Sequence, residues 1–194
     1  MTDTSVFLFI NGLAGKMTFF DAFFKGVAND YFPLVLTCLL LVWLWFGTRD
    51  RRRRMDNQRA VITAIVAVGL TAVFMVLMNH YYFRVRPFNA LPPESVNLLF
   101  YPPHDSSFPS NFAAVIFALA WPVFFKNKAC GICLISLAAI TSFGRIYLGI
   151  HYPLDILAGL AVGSLGALAA YLLSRNLAPL LDLLLDRLQR IYLA

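Results

Sequence analysis

Gly144-Arg145-Ile146-Tyr147-Leu148-Gly149-Ile150-His151-Tyr152-Pro153-Leu154-Asp155 holds an arginine, a histidine and a carboxylate in fixed register between two apolar runs. Residues 129–144 precede it and residues 156–174 follow it, both without a charge. Such runs approach the roughly 17–25 residues that a membrane-crossing helix requires. Ionisable groups at a membrane edge are costly, which makes these three functional candidates by default. The stretch therefore reads as two crossing helices joined by a polar hinge.

The rest of the chain agrees. Of its 194 residues, 60% are hydrophobic and 13% charged, against roughly 25% charged in a soluble domain. This is the balance of an integral membrane protein of one domain. Further charge-free runs cover residues 31–48, 60–79 and 109–125, giving five spans. Residues 5–28 alternate phenylalanines with Lys16, Asp21 and Lys25 and read as a helix lying in the interface. If they cross instead, the count is six. The expected fold is an all-α membrane protein, a bundle of five to six transmembrane helices with an N-terminal interfacial helix. The expected divisions are 1–30 (interfacial helix), 31–175 (transmembrane core) and 176–194 (surface tail). No cleavable signal peptide is expected, because the N-terminus is acidic and has no small-residue cleavage site.

The formal net charge of +6 is unevenly spread. Arg49-Asp50-Arg51-Arg52-Arg53-Arg54 joins the first two spans, Lys126 and Lys128 join the third and fourth, and Arg175 follows the fifth. With five spans these positions share one side, which the positive-inside rule makes cytoplasmic. Residues 81–108 and Arg145–Asp155 then face outward together. The basic run is a topology anchor that touches anionic membrane lipids. No soluble recognition element accompanies it, so nucleic acid is not an expected partner. Cys38, Cys130 and Cys133 lie in apolar context with no partner ligands at zinc spacing, and read as small packing residues.

On the outward face, a carboxylate at Asp155 can fix the tautomer of His151 and leave its other ring nitrogen as a nucleophile. A structural N-cap beside an interfacial histidine is the plain alternative. Arg145, Arg86 and Arg84 offer guanidinium groups for phosphate oxygens. Pro109-Ser110-Asn111 offers a hydroxyl and the free N–H groups of a helix start. Together these point to phosphoryl transfer.

In these residues the chain resembles the type 2 phosphatidic acid phosphatase superfamily, whose motifs are Lys-x6-Arg-Pro, Pro-Ser-Gly-His and Ser-Arg-x5-His-x3-Asp. Arg145, His151 and Asp155 match the third, with Gly144 in place of serine. Arg86-Pro87 matches the first, with Asn79 at the lysine position. Pro109-Ser110 matches the second, with Asn111 for glycine and Phe112 for histidine. Ile10-Asn11-Gly12-Leu13-Ala14-Gly15 and Phe20-Asp21 are also similar to bacterial undecaprenyl-diphosphatases. The resemblance implies a bacterial plasma (inner) membrane enzyme with a periplasmic active site, acting on lipid phosphates or diphosphates without metal or cofactor. It implies that His151 attacks phosphorus and forms a phosphohistidine, that Asp155 orients it, and that Arg86, Arg145 and Ser110, with Asn111 and Arg84 beside them, hold the phosphate.

The family's second-motif histidine protonates the leaving group, and Phe112 cannot. General acid catalysis contributes roughly 10²–10⁴-fold. An alkoxide leaving a monophosphate needs that proton. A lipid monophosphate leaving a diphosphate needs it far less, because its second ionisation lies near a pKa of about 6. The expected substrate is therefore a polyprenyl diphosphate, with His104 or His80 as a substitute acid. The alternatives are a lipid-phosphate binding or transport protein that has lost turnover, a phosphotransferase using the same residues, and a structural membrane protein.

Overall fold

The computed structural model describes residues 2–190, and within them the regular elements are helical. They are α1 (Asp3–Asn11), α2 (Thr18–Val27), α3 (Phe32–Phe46), α4 (Arg51–Tyr81), α5 (Pro87–Ala90), α6 (Asn111–Lys126), α7 (Lys128–Tyr147), α8 (Pro153–Asn176) and α9 (Ala178–Arg190). A 3-10 turn at Pro93–Ser95 interrupts the loop between α5 and α6. The helix starts follow capping chemistry. Asp50 accepts from the N–H of Arg53, Ser110 from Ala113 and Asn127 from Cys130. Pro153 opens α8 where no intrahelical N–H is needed.

α6 is the central helix and packs against α4, α7 and α8. Gly159 lets α8 close on its first turn, since a Cβ there would lie 2.6 Å from the carbonyl oxygen of Ser110. α1 lies across the same end of the bundle. Its buried Phe7 packs against the ring of Tyr152, with centroids 5.3 Å apart. At the opposite end, Arg59 pairs with Asp182 and Arg51 with Asp186, tying α9 back to α4.

One expectation is revised. By length and composition α4, α7 and α8 can cross a membrane, and α2 with α3 makes a fourth candidate if that pair, bent by 51°, is one broken span. α6 is apolar but only 16 residues long, just under the roughly 17 that a span requires. Three to four helices thus meet the length and composition of a span, with α6 a shorter apolar helix among them. The N-terminal segment is not one interfacial helix. The chain turns between Asn11 and Thr18, where Gly15 has φ 79° and donates its N–H to Asp21, and only then enters α2. α1 buries Phe7 and Asn11 inside the bundle. Residues 191–194 of the expected surface tail lie outside the described residues.

Candidate active site

His151 sits in the short connection between α7 and α8. The chain reverses there through Gly149, at φ +88°, where an added Cβ would lie 3.0 Å from the carbonyl oxygen of Asn97. Buried Asn11 clamps this turn, donating to the carbonyls of Tyr147 and Asn97 and accepting from the N–H of Asn97. The imidazole of His151 is 2% exposed. Its Nδ1 lies 3.0 Å from the carbonyl oxygen of Ser107, which can only accept, so Nδ1 carries the proton. Nε2 then carries the lone pair, which accepts from Nη1 of Arg86 (3.2 Å) and lies 3.4 Å from Oγ of Ser110. Burial pushes the pKa of His151 down to about 4; Arg86 and Arg145 act in the same direction and Asp155 opposes them. The ring is neutral at physiological pH.

Asp155 is fully buried in the first turn of α8. Its Oδ2 is 3.7 Å from Nδ1 of His151, an electrostatic distance rather than a hydrogen bond. Its hydrogen bonds come from the N–H of Tyr152 (2.8 Å), the hydroxyl of Ser107 (2.5 Å) and Nη1 of Arg84 (2.6 Å). The carboxylate therefore positions the imidazole through Ser107, whose hydroxyl it accepts and whose carbonyl holds Nδ1. Arg84 lies behind Asp155, with its other terminal nitrogen 2.6 Å from Asp3 and its guanidinium over the ring of Tyr152.

In front of His151 is a cavity of about 400 Å³, lined by Arg86, Arg145, Asp30, Asp105, Asn111 and Phe112 among others. Arg86 is locked: Nε and Nη2 bind the main-chain and side-chain oxygens of Asp105, and Nη1 binds the carbonyl of Ile150. Nη2 of Arg145 pairs with Asp30, its guanidinium stacks 3.9 Å above the Phe112 ring, and its buried Nε has no partner among the described residues. Two guanidinium groups and a neutral imidazole facing one cavity can hold a tetrahedral anion beside a nucleophile. The carboxylates of Asp30 and Asp105 occupy those guanidinium groups here. Among the described residues, no three His, Cys, Asp or Glu side chains converge as a metal-ligand set.

The structure brings Arg86, Ser110, Asn111, Arg145, His151 and Asp155 into one cluster. Ser110 is buried and does not line the cavity; its hydroxyl lies 3.4 Å from Nε2 of His151, which does. Asn111 meets Asp105 through its amide nitrogen (3.2 Å) and accepts from Asn79 (3.4 Å). Three expected site residues stand apart. Arg84 does not line the cavity, because both its terminal nitrogens are engaged by carboxylates. His104 is exposed, and exposed His80 packs edge-on against Tyr81. Neither histidine lines the cavity, so neither is placed to protonate a leaving group there.

The PAP2 superfamily model matches residues 60–179, which include all three motifs. The chain belongs to the PAP2 superfamily. Undecaprenyl-diphosphatase BcrC of Bacillus subtilis is 28% identical over 182 residues, covering 92% of this chain and 87% of that protein. The crystal structure of Aquifex aeolicus LpxE superposes with a TM-score of 0.70 at 29% identity, over 87% of this chain and 93% of that one. A transmembrane PAP2 type phosphatidylglycerolphosphate phosphatase from Bacillus subtilis shares the fold, with a TM-score of 0.61 at 18% identity over 89% and 86% of the two chains. This is a membrane lipid-phosphatase family. In this PAP2 chain several site groups escape the motif reading: Ser107, Asp105 and Asp30 around the cavity, and Asn11 and Asp3 behind it. Asn11 carried a signal in the Ile10–Gly15 stretch. Asp30 and Asp3 carried none, being isolated acids brought to the site only by the packing of α1 and α2.

Proposed function

We propose that this protein is a polyprenyl diphosphate phosphatase of the bacterial plasma membrane, working from the outward face by a metal-free, two-step mechanism. In the first step Nε2 of His151 attacks the terminal phosphorus, and the bond from phosphorus to the bridging oxygen breaks. The lipid monophosphate departs with the electron pair, needing no proton at neutral pH. Arg86 and Arg145 neutralise the phosphate oxygens, exchanging Asp105 and Asp30 for them, and Ser110 supports Nε2. The positive charge on the phosphorylated ring, still protonated at Nδ1, is balanced by Asp155. In the second step water attacks the phosphohistidine, the N–P bond breaks, inorganic phosphate leaves and the water's proton is carried away on phosphate and solvent.

The observation that carries this reading is the tautomer of His151. Its proton is held on Nδ1 by the carbonyl of Ser107, and its lone pair accepts from Arg86 on the side of the cavity that Arg86 and Arg145 line. The Undecaprenyl-diphosphatase BcrC relative supports the choice of a diphosphate, as does Phe112 at the acid position. Purified protein is expected to release phosphate from undecaprenyl diphosphate in the presence of EDTA, faster than from undecaprenyl phosphate or phosphatidic acid, and His151→Ala to abolish release. Equal or faster turnover of the monophosphates contradicts the proposal. Phe112 also favours a second reading, a phosphate-binding protein without turnover, and binding without release in the same assay selects it.

A further inference from the structure

Leu34 and Val115 each line two cavities. One is the anion cavity in front of His151. The other is a groove of about 620 Å³ walled by α3, α4 and α6. Cys38 and Trp45 on α3, Ile65 on α4 and Leu119 on α6 continue it away from the anion cavity, and no charged residue lines it. Cys38 and Ile65 are exposed, so the groove is open along its side. In a bilayer that side faces hydrocarbon.

We infer that this groove seats the hydrocarbon tail of the lipid whose phosphate enters the anion cavity, and that it favours a single chain longer than one leaflet is deep. The shared residues make the two spaces neighbours: a chain leaving a phosphate held by Arg86 and Arg145 meets Leu34 and Val115 first. From Leu34 to Phe46 the lined face of α3 extends about 18 Å, at a rise of about 1.5 Å per residue. Half of a hydrocarbon core of about 30 Å is about 15 Å. A tail that stops at the mid-plane leaves the Trp45 and Phe46 end of the groove empty, whereas a long polyprenyl chain fills it. The alternative surroundings of the tail are also hydrocarbon, so the preference comes from packing against shaped walls and is modest in size.

The inference rests on the phosphatase reading for its kinetic readout, so the experiment has two arms. Cys38→Trp and Ile65→Trp obstruct the groove from opposite walls, with Cys38→Phe as a smaller obstruction should the first not fold. Val73→Trp adds the same bulk to an exposed face of α4 outside the groove. In the first arm, KM for undecaprenyl diphosphate is expected to rise about tenfold in the groove variants with kcat held, the signature of lost uniform binding. Turnover of dimethylallyl diphosphate, too short to enter the groove, is expected to stay at the wild-type level. In the second arm, native mass spectrometry from detergent is expected to find undecaprenyl diphosphate retained by wild type and Val73→Trp and lost from the groove variants. Unchanged KM and retention in the groove variants, or equal loss in Val73→Trp, overturn the tail seat. Wild type that retains the lipid selectively but hydrolyses neither substrate keeps the tail seat and overturns the phosphatase reading instead.

Discussion

Phe112→His restores the residue type that the PAP2 motif carries at this position, and its effect can be sized in advance. Two contributions compete. The Phe112 ring now supports Arg145, whose guanidinium carbon is 3.9 Å from the ring centroid. A desolvated contact of this kind is worth up to about 2 kcal/mol, so losing part of it weakens the phosphate grip by about 5–30-fold at most. An imidazole is still a flat ring, which makes that figure an upper bound. Against it stands general acid catalysis, roughly 10²–10⁴-fold where the leaving oxygen needs a proton. For a lipid monophosphate the leaving group is an alkoxide, and the second contribution wins. For a lipid diphosphate the leaving group is already a good anion, and only the loss is felt.

The ratio of the two activities is therefore the informative quantity. The weakened seat of Arg145 affects both substrates and divides out. The ratio of kcat/KM for undecaprenyl phosphate to that for undecaprenyl diphosphate is expected to rise by about 10²–10⁴. Release of inorganic phosphate from the two lipids, which share one tail, measures it in detergent micelles. Loss of diphosphate activity alone is compatible with the reasoning. An unchanged ratio, with both activities measurable, refutes it, because position 112 would then not reach the leaving oxygen.

Three further outcomes follow from the same geometry. The folded-state pKa of His151, about 4, lies below the ordinary 6.5, so the unfolded chain takes up the proton first and folding loses stability as pH falls from about 6.5 towards 4, by about 3 kcal/mol in all; thermal unfolding of wild type and His151→Gln between pH 7 and 4.5 should show the steeper fall in wild type. Arg84→Ala removes a guanidinium from fully buried Asp155, a class of change costing about 3–5 kcal/mol, and should lower Tm and kcat while leaving KM near the wild-type value; Arg145→Ala should raise KM instead. Gly149→Ala forces an L side chain into left-handed backbone, at about 1–2 kcal/mol, with its Cβ 3.0 Å from the carbonyl of Asn97, and should lower both Tm and kcat by displacing the His151 turn.

The membrane character and the clustering of the motif residues were legible because each has a local signal. Charge-free runs mark α4, α7 and α8, and proline with a capping residue marks the starts of α6 and α8. The break between α1 and α2 was not legible, because Gly12, Gly15 and Lys16 interrupt an aromatic run in a way that also suits one interfacial helix. Arg84 was misplaced for a different reason. Its sequence position two residues before Arg86 suggests a shared task, but in the fold its guanidinium is taken up by Asp3 and Asp155 behind the site. Asp155 looked like a direct partner of His151 from its spacing of four. The structure inserts Ser107 between them, a residue with no motif of its own, and long-range packing of that kind leaves no trace in local pattern.

The departures from the PAP2 motifs are physically connected rather than scattered. Asn79 donates to Asn111, Asn111 donates to Asp105, and Asp105 accepts from Arg86. A lysine at position 79 would bring a cation to compete with Arg86 for the same carboxylate, and a glycine at position 111 would remove the amide that steadies it. The two asparagines thus fit each other and leave Arg86 in place. Phe112 performs the equivalent service for Arg145. What the altered motifs keep is the pair of guanidinium groups and an imidazole whose lone pair lies toward them; what they drop is the proton donor. Anion binding needs the guanidinium groups but gains nothing from a neutral, tautomer-locked histidine, which costs stability at acid pH. In the proposed mechanism, a site that keeps the attacking imidazole and lacks the acid is suited to a leaving group that departs as a stable anion, and the bridging oxygen of a diphosphate supplies one.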